Sequence, residues 1–218
     1  MSKPAARLLA WLSPAFPVGA FAYSGGLESA IAYRRVTDST ATQNWIEGSL
    51  KAGSALSDAV VLKEAWEAGA NAARLCEITD FCLALIASSE RRLETLQTGT
   101  AFVAAARAWP DPVFDLLPAE CPYPVAVGAM ARAQGLALDE TLAAFLTSLV
   151  QAQISVAVRL VPIGQTDGLR ILAALEPAID DAAAYAEATS IDGLLALGYA
   201  ADIETMRHET LTTRIFRS

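Results

Sequence analysis

Apolar residues recur every three or four positions along most of this chain, which is the spacing of one face of an α-helix. The pattern is strongest between Asp139 and Pro162, where proline stops the helix. The other faces of this segment are also largely apolar, which predicts a helix buried on several sides, in the core or in an oligomer interface. Gln153 interrupts the apolar seam. We expect its amide to be hydrogen-bonded inside the monomer, and a register-setting role in a dimer seam is the alternative. The seam consists of Leu142, Leu146, Leu149, Val156 and Leu160.

The same period predicts helices over most of the remaining chain, interrupted by glycines and prolines. Gly48 and Gly53 either break the third helical region or allow another helix to cross it closely. In the fifth region, Leu93, Leu96 and Val103 are predicted to form the apolar face. The predicted helices that precede a proline-rich loop at 110–124 span residues 7–12, 25–35, 40–68, 72–87 and 89–109.

A further helix follows Pro162, with Thr166 or Asp167 as its predicted cap. The proline-rich loop does not divide the chain, because each flank is too small to hold a core of its own. We therefore predict an all-α fold, a single-domain helical bundle of about eight to ten helices that spans residues 1–218.

Composition restricts the class of protein further. With 54% hydrophobic and 18% charged residues, the chain is expected to fold rather than remain disordered. A net charge of −8 argues against nucleic acid and anionic membranes as partners, because there is no surplus of basic residues to meet phosphates. No apolar run approaches the ~20 residues needed to span a bilayer, and the N-terminal apolar stretch is too short for an export signal. We therefore expect a cytoplasmic protein, and an odd number of cysteines without metal-ligand spacing fits free thiols there.

The side chains that carry most enzyme chemistry are scarce. The chain has one histidine, His208, which argues against a histidine-based metal site within a single chain. No glycine-rich phosphate loop with its lysine is present. Adjacent carboxylates such as Asp180 and Asp181 lie beside predicted helix starts, where they favour the helix dipole. We therefore predict no catalytic residue, no metal site and no cofactor.

Residues 16–28 predict a rigid turn directly before a helix. Pro17 fixes its own φ, Gly19 permits a positive φ, and Glu28 falls in the first turn of the helix. Judged by residue types alone, this is a buried aromatic loop whose glycines serve close packing. The segment also resembles the signature of the UreF family of urease accessory proteins. The matching positions are Phe16, Pro17, Gly19, Tyr23, Ser24, Gly26, Leu27 and Glu28, whereas Ala20 stands where the family commonly has serine.

Two further motifs extend the resemblance over essentially the whole chain from Leu8 onward. The long apolar helix is followed by Pro162, Gln165, Asp167 and Gly168, and residues 88–92 with Gln97 and Gly99 match the family more loosely. Histidines that many relatives carry at positions matching 121–124 are absent, which puts in doubt any metal transfer by side chains there. The chain closes with the family motif His208, Glu209, Arg214, Ile215, Phe216, Arg217 and Ser218.

The resemblance implies a non-catalytic scaffold for urease maturation. It implies a homodimer that binds the accessory protein UreD (also called UreH) and, with it, recruits the GTPase UreG to apo-urease so that nickel reaches the active site. One alternative is control of GTP hydrolysis by UreG through an inserted arginine, Arg214 or Arg217. The other is a small helical enzyme with an unrecognised active site.

The C-terminal residues are the candidate docking site for UreD and UreG. Apolar Ile215 and Phe216 beside Arg214 and Arg217 have the composition of an interface anchor, and a tail that packs on its own domain or frays is the alternative. We expect residues 207–218 to form a tail that is mobile in the free protein, so that truncation after Thr212 leaves the helical fold intact. The resemblance implies that Arg214 shapes the UreD-bound surface that recruits UreG.

Overall fold

The regular secondary structure of this protein is helical wherever the structure describes it. A computed structural model describes residues 3–194 and 198–218. Within these ranges lie ten α-helices and three short 3-10 turns, at Ala20–Ala22, Pro112–Asp115 and Ile191–Gly193. The prediction of an all-α bundle is therefore confirmed. The helices are α1 (Lys3–Trp11), α2 (Leu27–Ala32), α3 (Ser39–Ala52), α4 (Ser54–Ala68), α5 (Ala72–Ala84), α6 (Ser89–Ala106), α7 (Tyr123–Ala133), α8 (Leu138–Leu160), α9 (Gln165–Ala188) and α10 (Tyr199–His208).

Helix α4 lies at the centre of the bundle. It contacts α3, α5, α7, α8 and α9, and most of its residues between Ala55 and Ala65 are buried. Its contact with α7 is close enough to require glycine. A Cβ atom on Gly128 would come within 2.2 Å of the carbonyl oxygen of Leu62, so the two helix backbones meet without an intervening side chain.

Polar side chains fix several helix starts. Asp38, Asn71 and Ser88 each accept a hydrogen bond from a backbone N–H in the first turn of α3, α5 and α6, which satisfies a donor that has no partner within the helix. Gly53 separates α3 from α4, so the predicted third region breaks there. Gly48 lies inside α3 with open space around it and breaks nothing.

The predicted apolar face of α6 is partly wrong, because Val103 packs against the core but Leu93 does not. Leu93 is 49% exposed, and the buried face instead carries small or polar residues with Phe102. The cause is the close approach of the chain at 121–123, where a Cβ on Gly99 would lie 2.0 Å from the carbonyl oxygen of Cys121. Leucine cannot fit on the face that meets another backbone at this distance.

Helix α7 was missed by the sequence analysis, because it begins inside the proline-rich segment. Pro122 precedes the helix and Pro124 lies in its first turn, where a proline removes no intrahelical hydrogen bond. The predicted cap of α9 is also wrong. Gly164 is the N-cap, and Asp167 in the first turn accepts the N–H of Gly164 at 3.1 Å. Helix α2 is shorter than predicted, because Arg34 just beyond it adopts a left-handed φ of 57°.

Helix α8 corrects the expectation about apolar runs. Among the described helices it alone is long and apolar enough to cross a membrane by length and composition, a test that core helices of soluble proteins also pass. It packs on α9, α4 and α2 and exposes Gln151, Ser155 and Arg159. The amide nitrogen of Gln153 donates to the carbonyl oxygen of Ser24 at 2.8 Å, so the expected hydrogen bond inside the monomer is confirmed.

Candidate partner-docking surface

The loop at residues 16–28, called here the signature loop, is anchored at its first aromatic residue. The ring of Phe16 lies 5.6 Å from the ring of Phe102 in α6, which fixes the start of the loop against the core. Gly19 has a φ of 75° and leads into the short 3-10 turn. This conformation places Phe21 at the surface, where 72% of it is exposed.

The end of the signature loop is held against α10 by glycine. Gly26 has a φ of 82°, and a Cβ on it would lie 2.9 Å from the backbone nitrogen of Thr205. Both the positive φ and this close approach exclude a side chain. Helix α2 therefore starts directly beside α10. Glu28, in the first turn of α2, consequently lies close to the C-terminal residues.

The residues at 214–218, called here the closing segment, pair with the signature loop through the backbone. The N–H of Ser24 donates to the carbonyl oxygen of Ser218 at 2.8 Å, and the N–H of Arg217 donates to the carbonyl oxygen of Ala22 at 2.8 Å. The hydroxyl of Ser24 also donates to the carbonyl of Ser218. These bonds join the two motifs into one surface.

Glu28 is the centre of this junction. One carboxylate oxygen accepts the N–H of Ile215 at 2.8 Å, and the other accepts the N–H of Phe216 at 2.9 Å. The second oxygen also lies 3.0 Å from Nε2 of His208. A buried carboxylate that accepts several hydrogen bonds compensates for its own desolvation.

His208 lies between two carboxylates, one on each side of its ring. Its Nδ1 is 2.7 Å from Oε2 of Glu90, and the residue is fully buried. The other oxygen of Glu90 accepts from the guanidinium of Arg214 at 2.6 Å. Two carboxylates, one imidazole and one guanidinium thus connect α2, α6, α10 and the closing segment.

Each of the seven C-terminal positions predicted to contact a partner has a defined place. His208, Phe216 and Ser218 are buried, and the hydroxyl of Ser218 donates to Glu94 at 3.0 Å. The closing segment is therefore folded onto the body of the protein, where a mobile tail had been expected. These contacts could not be predicted, because the partners of this segment are distant in sequence. The exposed positions are Glu209, Arg214, Ile215 and Arg217.

Phe216 and Ile215 point to opposite environments. Phe216 belongs to an apolar cluster that includes Leu27, Val156 and Val161, and the guanidinium of Arg159 lies 5.6 Å from the centre of its ring. Ile215 is 70% exposed. One residue of the predicted anchor therefore holds the closing segment in place, and the other is available at the surface.

Glu209 links the end of α10 to the start of α6. Its carboxylate accepts the N–H and the hydroxyl of Ser89 at 2.9 and 2.8 Å. The hydroxyl bond is the main reason that the pKa of Glu209 is lowered from its usual value. Glu90 and Ser89 belong to the segment 88–92, so the looser third motif also contributes to this junction.

The motif after α8 has a structural role. Pro162 and Gln165 are exposed, and Asp167 closes the first turn of α9. Gly168 is buried where a Cβ would meet Ile154 at 2.9 Å, so it allows α9 to pack against α8.

A second buried charge pair was missed by the sequence analysis. Arg91 of α6 donates to Asp58 of α4. Burial raises the pKa of Asp58, and the charge of Arg91 opposes this effect. A cavity of about 100 Å³ lies beside the pair and is also lined by Tyr23 and Gln153. A single sequence does not indicate which charged residues on two different helices will pair.

Among the described residues, no group of three or more His, Cys, Asp and Glu is arranged to hold a metal ion.

Comparisons with known proteins cover nearly the whole chain. A sequence profile of the UreF family matches residues 36–176. The urease accessory protein UreF of Agrobacterium fabrum (strain C58) is 50% identical over 212 residues, which are 97% of this chain and 95% of that protein. The urease accessory protein UreF of Rhizobium leguminosarum bv. viciae has the same identity and coverage. That of Mesorhizobium japonicum is 45% identical over 97% of this chain and 95% of its own length.

Proposed function

Because the chain belongs to the UreF family of urease accessory proteins, we propose that this non-catalytic protein acts as a docking scaffold during urease maturation. In this proposal it binds UreD and, with it, recruits the GTPase UreG to apo-urease for nickel insertion. Nickel is the cargo of that assembly rather than a resident cofactor of this chain. The proposal places the protein in the cytoplasm.

The observation that carries the docking proposal is the junction of the signature loop with the closing segment. Backbone hydrogen bonds, Glu28 and His208 hold the closing segment in one conformation. A preorganised surface loses less conformational entropy on binding than a mobile tail would. The exposed side chains of Arg214, Ile215 and Arg217 form the proposed docking surface, together with Phe21 of the signature loop.

The composition of this surface suits a protein partner. Exposed Phe21 and Ile215 provide apolar contact area, and the adjacent guanidinium groups provide directional hydrogen bonds. Arg214 is partly engaged by Glu90, which orients it. In the proposal, UreD covers this surface, and Arg214 shapes the part of it that then meets UreG.

Co-expression with UreD and UreG tests the proposal. We expect gel filtration to recover a complex that contains all three proteins. Replacing Ile215 and Arg217 together by alanine should remove UreD from the complex, because both side chains belong to the proposed docking surface. The fold should be unchanged, because both side chains are exposed. A matched double replacement on another exposed face, Leu169→Ala with Arg170→Ala, should leave the complex intact. Retention of UreD by the first variant would contradict the proposed surface.

A homodimer is the proposed oligomeric state. Only 39% of the most apolar 18-residue stretch of α8 is buried within the monomer. A groove of about 190 Å³ beside it is lined in part by Leu12, Val18 and Leu149. Apolar surface of this kind is commonly covered by a second copy. A molecular mass corresponding to one chain at micromolar concentration, alone and with UreD, would contradict this state.

Control of GTP hydrolysis by UreG is a second candidate function, and Arg217 is the residue that favours it. Arg217 is exposed, and its guanidinium forms no ion pair with any residue in the described ranges, whereas Arg214 is paired with Glu90. An unpaired arginine can enter a partner's nucleotide site. In complexes that still form, Arg217→Ala should then slow GTP turnover by UreG. Unchanged turnover would reject this function.

A further inference from the structure

His208 makes two contacts that require two ring protons. Its Nδ1 and Nε2 lie 2.7 and 3.0 Å from carboxylate oxygens of Glu90 and Glu28. An ionised carboxylate only accepts hydrogen bonds, whereas a neutral imidazole has a single N–H. The neutral ring would therefore leave one bare nitrogen facing a carboxylate oxygen in a fully buried position. With both carboxylates ionised, the cluster is complete only when both ring nitrogens carry a proton.

The same two carboxylates hold the closing segment. Glu28 accepts the N–H groups of Ile215 and Phe216, and Glu90 accepts from Arg214. With the imidazole protonated, two negative and two positive charges balance. Loss of the ring proton leaves two carboxylates with the cation of Arg214 alone, and the bonds that retain the segment weaken because their acceptors repel each other.

The surrounding charged groups do not replace this proton. Helix α2 contributes Glu28, and α6 contributes Glu90 and Glu94, of which Glu94 accepts from Ser218. On α10, Glu204 pairs with Arg35 and Arg207, and Glu209 bonds to Ser89. Compared with these carboxylates and guanidinium groups, imidazole is the side-chain type whose charge characteristically changes near neutral pH.

We propose that His208 is a proton-dependent latch, which holds the closing segment against the signature loop and releases it, with Phe216, when the ring loses its proton. The latch regulates the docking surface proposed above, and its biological use rests on that proposed function. Because the closed state requires the second ring proton, loss of that proton favours the open state. Opening should increase by at most about tenfold for each tenfold fall in proton concentration, since a single proton is involved.

The single histidine of the chain makes this testable in the isolated protein. With ¹⁵N-labelled histidine, NMR between pH ~6 and ~9 reports the protonation of both ring nitrogens. Amide exchange, expressed as protection factors to remove base catalysis, reports the closing of residues 215–217. We expect protection of these amides to fall as the ring loses its proton, while amides of α4 stay protected. A neutral ring with undiminished protection at 215–217 would overturn the proposal.

Two variants separate the latch from a merely structural histidine. His208→Gln cannot change its charge, so protection at 215–217 should be low and independent of pH. Glu77→Gln, at an exposed carboxylate of α5, should keep the pH dependence of the native protein. If circular dichroism shows that His208→Gln is unfolded, the titration of the native protein decides. A folded His208→Gln protein with the native pH dependence would also overturn the latch. No partner takes part in these measurements, so failure of the latch and failure of the docking proposal are distinguishable.

Discussion

Nε2 of His208 lies 3.0 Å from Oε2 of Glu28, although the two residues are 180 positions apart in the chain. Each belongs to a motif that could be recognised in the sequence, and neither motif indicated that it meets the other. The contact brings the signature loop near the N-terminus and the motif at the C-terminus together. Together they form a single surface.

Phe216→Ala and Ile215→Ala should differ in their effects on stability and on binding. Phe216 is buried in an apolar cluster, so its truncation should lower the free energy of unfolding by about 3 kcal/mol. Ile215 is exposed, so Ile215→Ala should change stability by less than about 0.5 kcal/mol and should weaken binding of UreD. Urea unfolding followed by circular dichroism measures the first effect. Equal stability of the two variants would show that the closing segment is not packed in solution.

Gly99→Ala and Gly48→Ala make the same substitution in two helices with opposite expected effects. The new methyl group at position 99 would lie 2.0 Å from the carbonyl oxygen of Cys121, so the variant should lose at least about 2 kcal/mol or fail to fold. At position 48 there is open space, and alanine should stabilise α3 by about 0.5–1 kcal/mol. Thermal unfolding of both proteins measures the difference. A stable Gly99→Ala protein would contradict the close contact between α6 and residues 121–123.

The three cysteines should differ in reactivity. Cys76 is exposed, whereas Cys82 and Cys121 are buried. Burial raises the pKa of Cys121 to about 12 and also raises the pKa of Cys82, which suppresses their thiolates near neutral pH. A thiol-reactive dye at pH ~8 should therefore label one thiol rapidly in the folded protein and all three in denaturant. Cys76→Ser should remove the rapid phase, and persistence of that phase would contradict the assignment.

Glu64→Gln tests the pH dependence of a charge network in α4. Burial alone would raise the pKa of Glu64, but the hydrogen bond from Arg74 and the charge of Lys63 lower it overall. A lowered pKa contributes stability that is complete above the usual carboxylate value, ~4.3, and is lost as the pH falls through the lowered value. The variant should thus lose about 1 kcal/mol at neutral pH and less at pH ~3.

A matched control for Glu64 is available on the same arginine. Glu77 also pairs with Arg74, but its side chain is 65% exposed. Glu77→Gln should change the free energy of unfolding by less than about 0.5 kcal/mol at either pH. Equal losses for Glu64→Gln at neutral and acid pH would show that its carboxylate does not contribute through its charge.

Local features of the fold could be predicted from the sequence because they depend on nearby residues. Pro162 lies two residues beyond the end of α8, and Gly53 separates α3 from α4. The resemblance to the UreF family, carried by motifs at both ends of the chain, is confirmed by the comparisons. Helix α7 was missed because prolines in a first helical turn have the same composition as a loop.

Features that depend on tertiary contacts could not be predicted. The exposed position of Leu93 follows from the approach of Cys121 to Gly99, which is invisible in the period of α6. The packed closing segment follows from hydrogen bonds to Glu28 and Ala22. A single sequence contains no pattern that pairs residues so far apart. For that reason, the expectation that truncation after Thr212 spares the fold is replaced by an expected loss of stability.

The nickel content of urease tests the central claim most directly. Urease should be purified from cells that express UreD and UreG with this protein, without it, or with its variant carrying Ile215→Ala and Arg217→Ala. The account predicts nickel-loaded urease only with the native protein, and largely empty active sites in the other two cases, although the variant folds normally. Equal nickel content with and without the protein would contradict its role in maturation, and full loading by the variant would contradict the proposed docking surface.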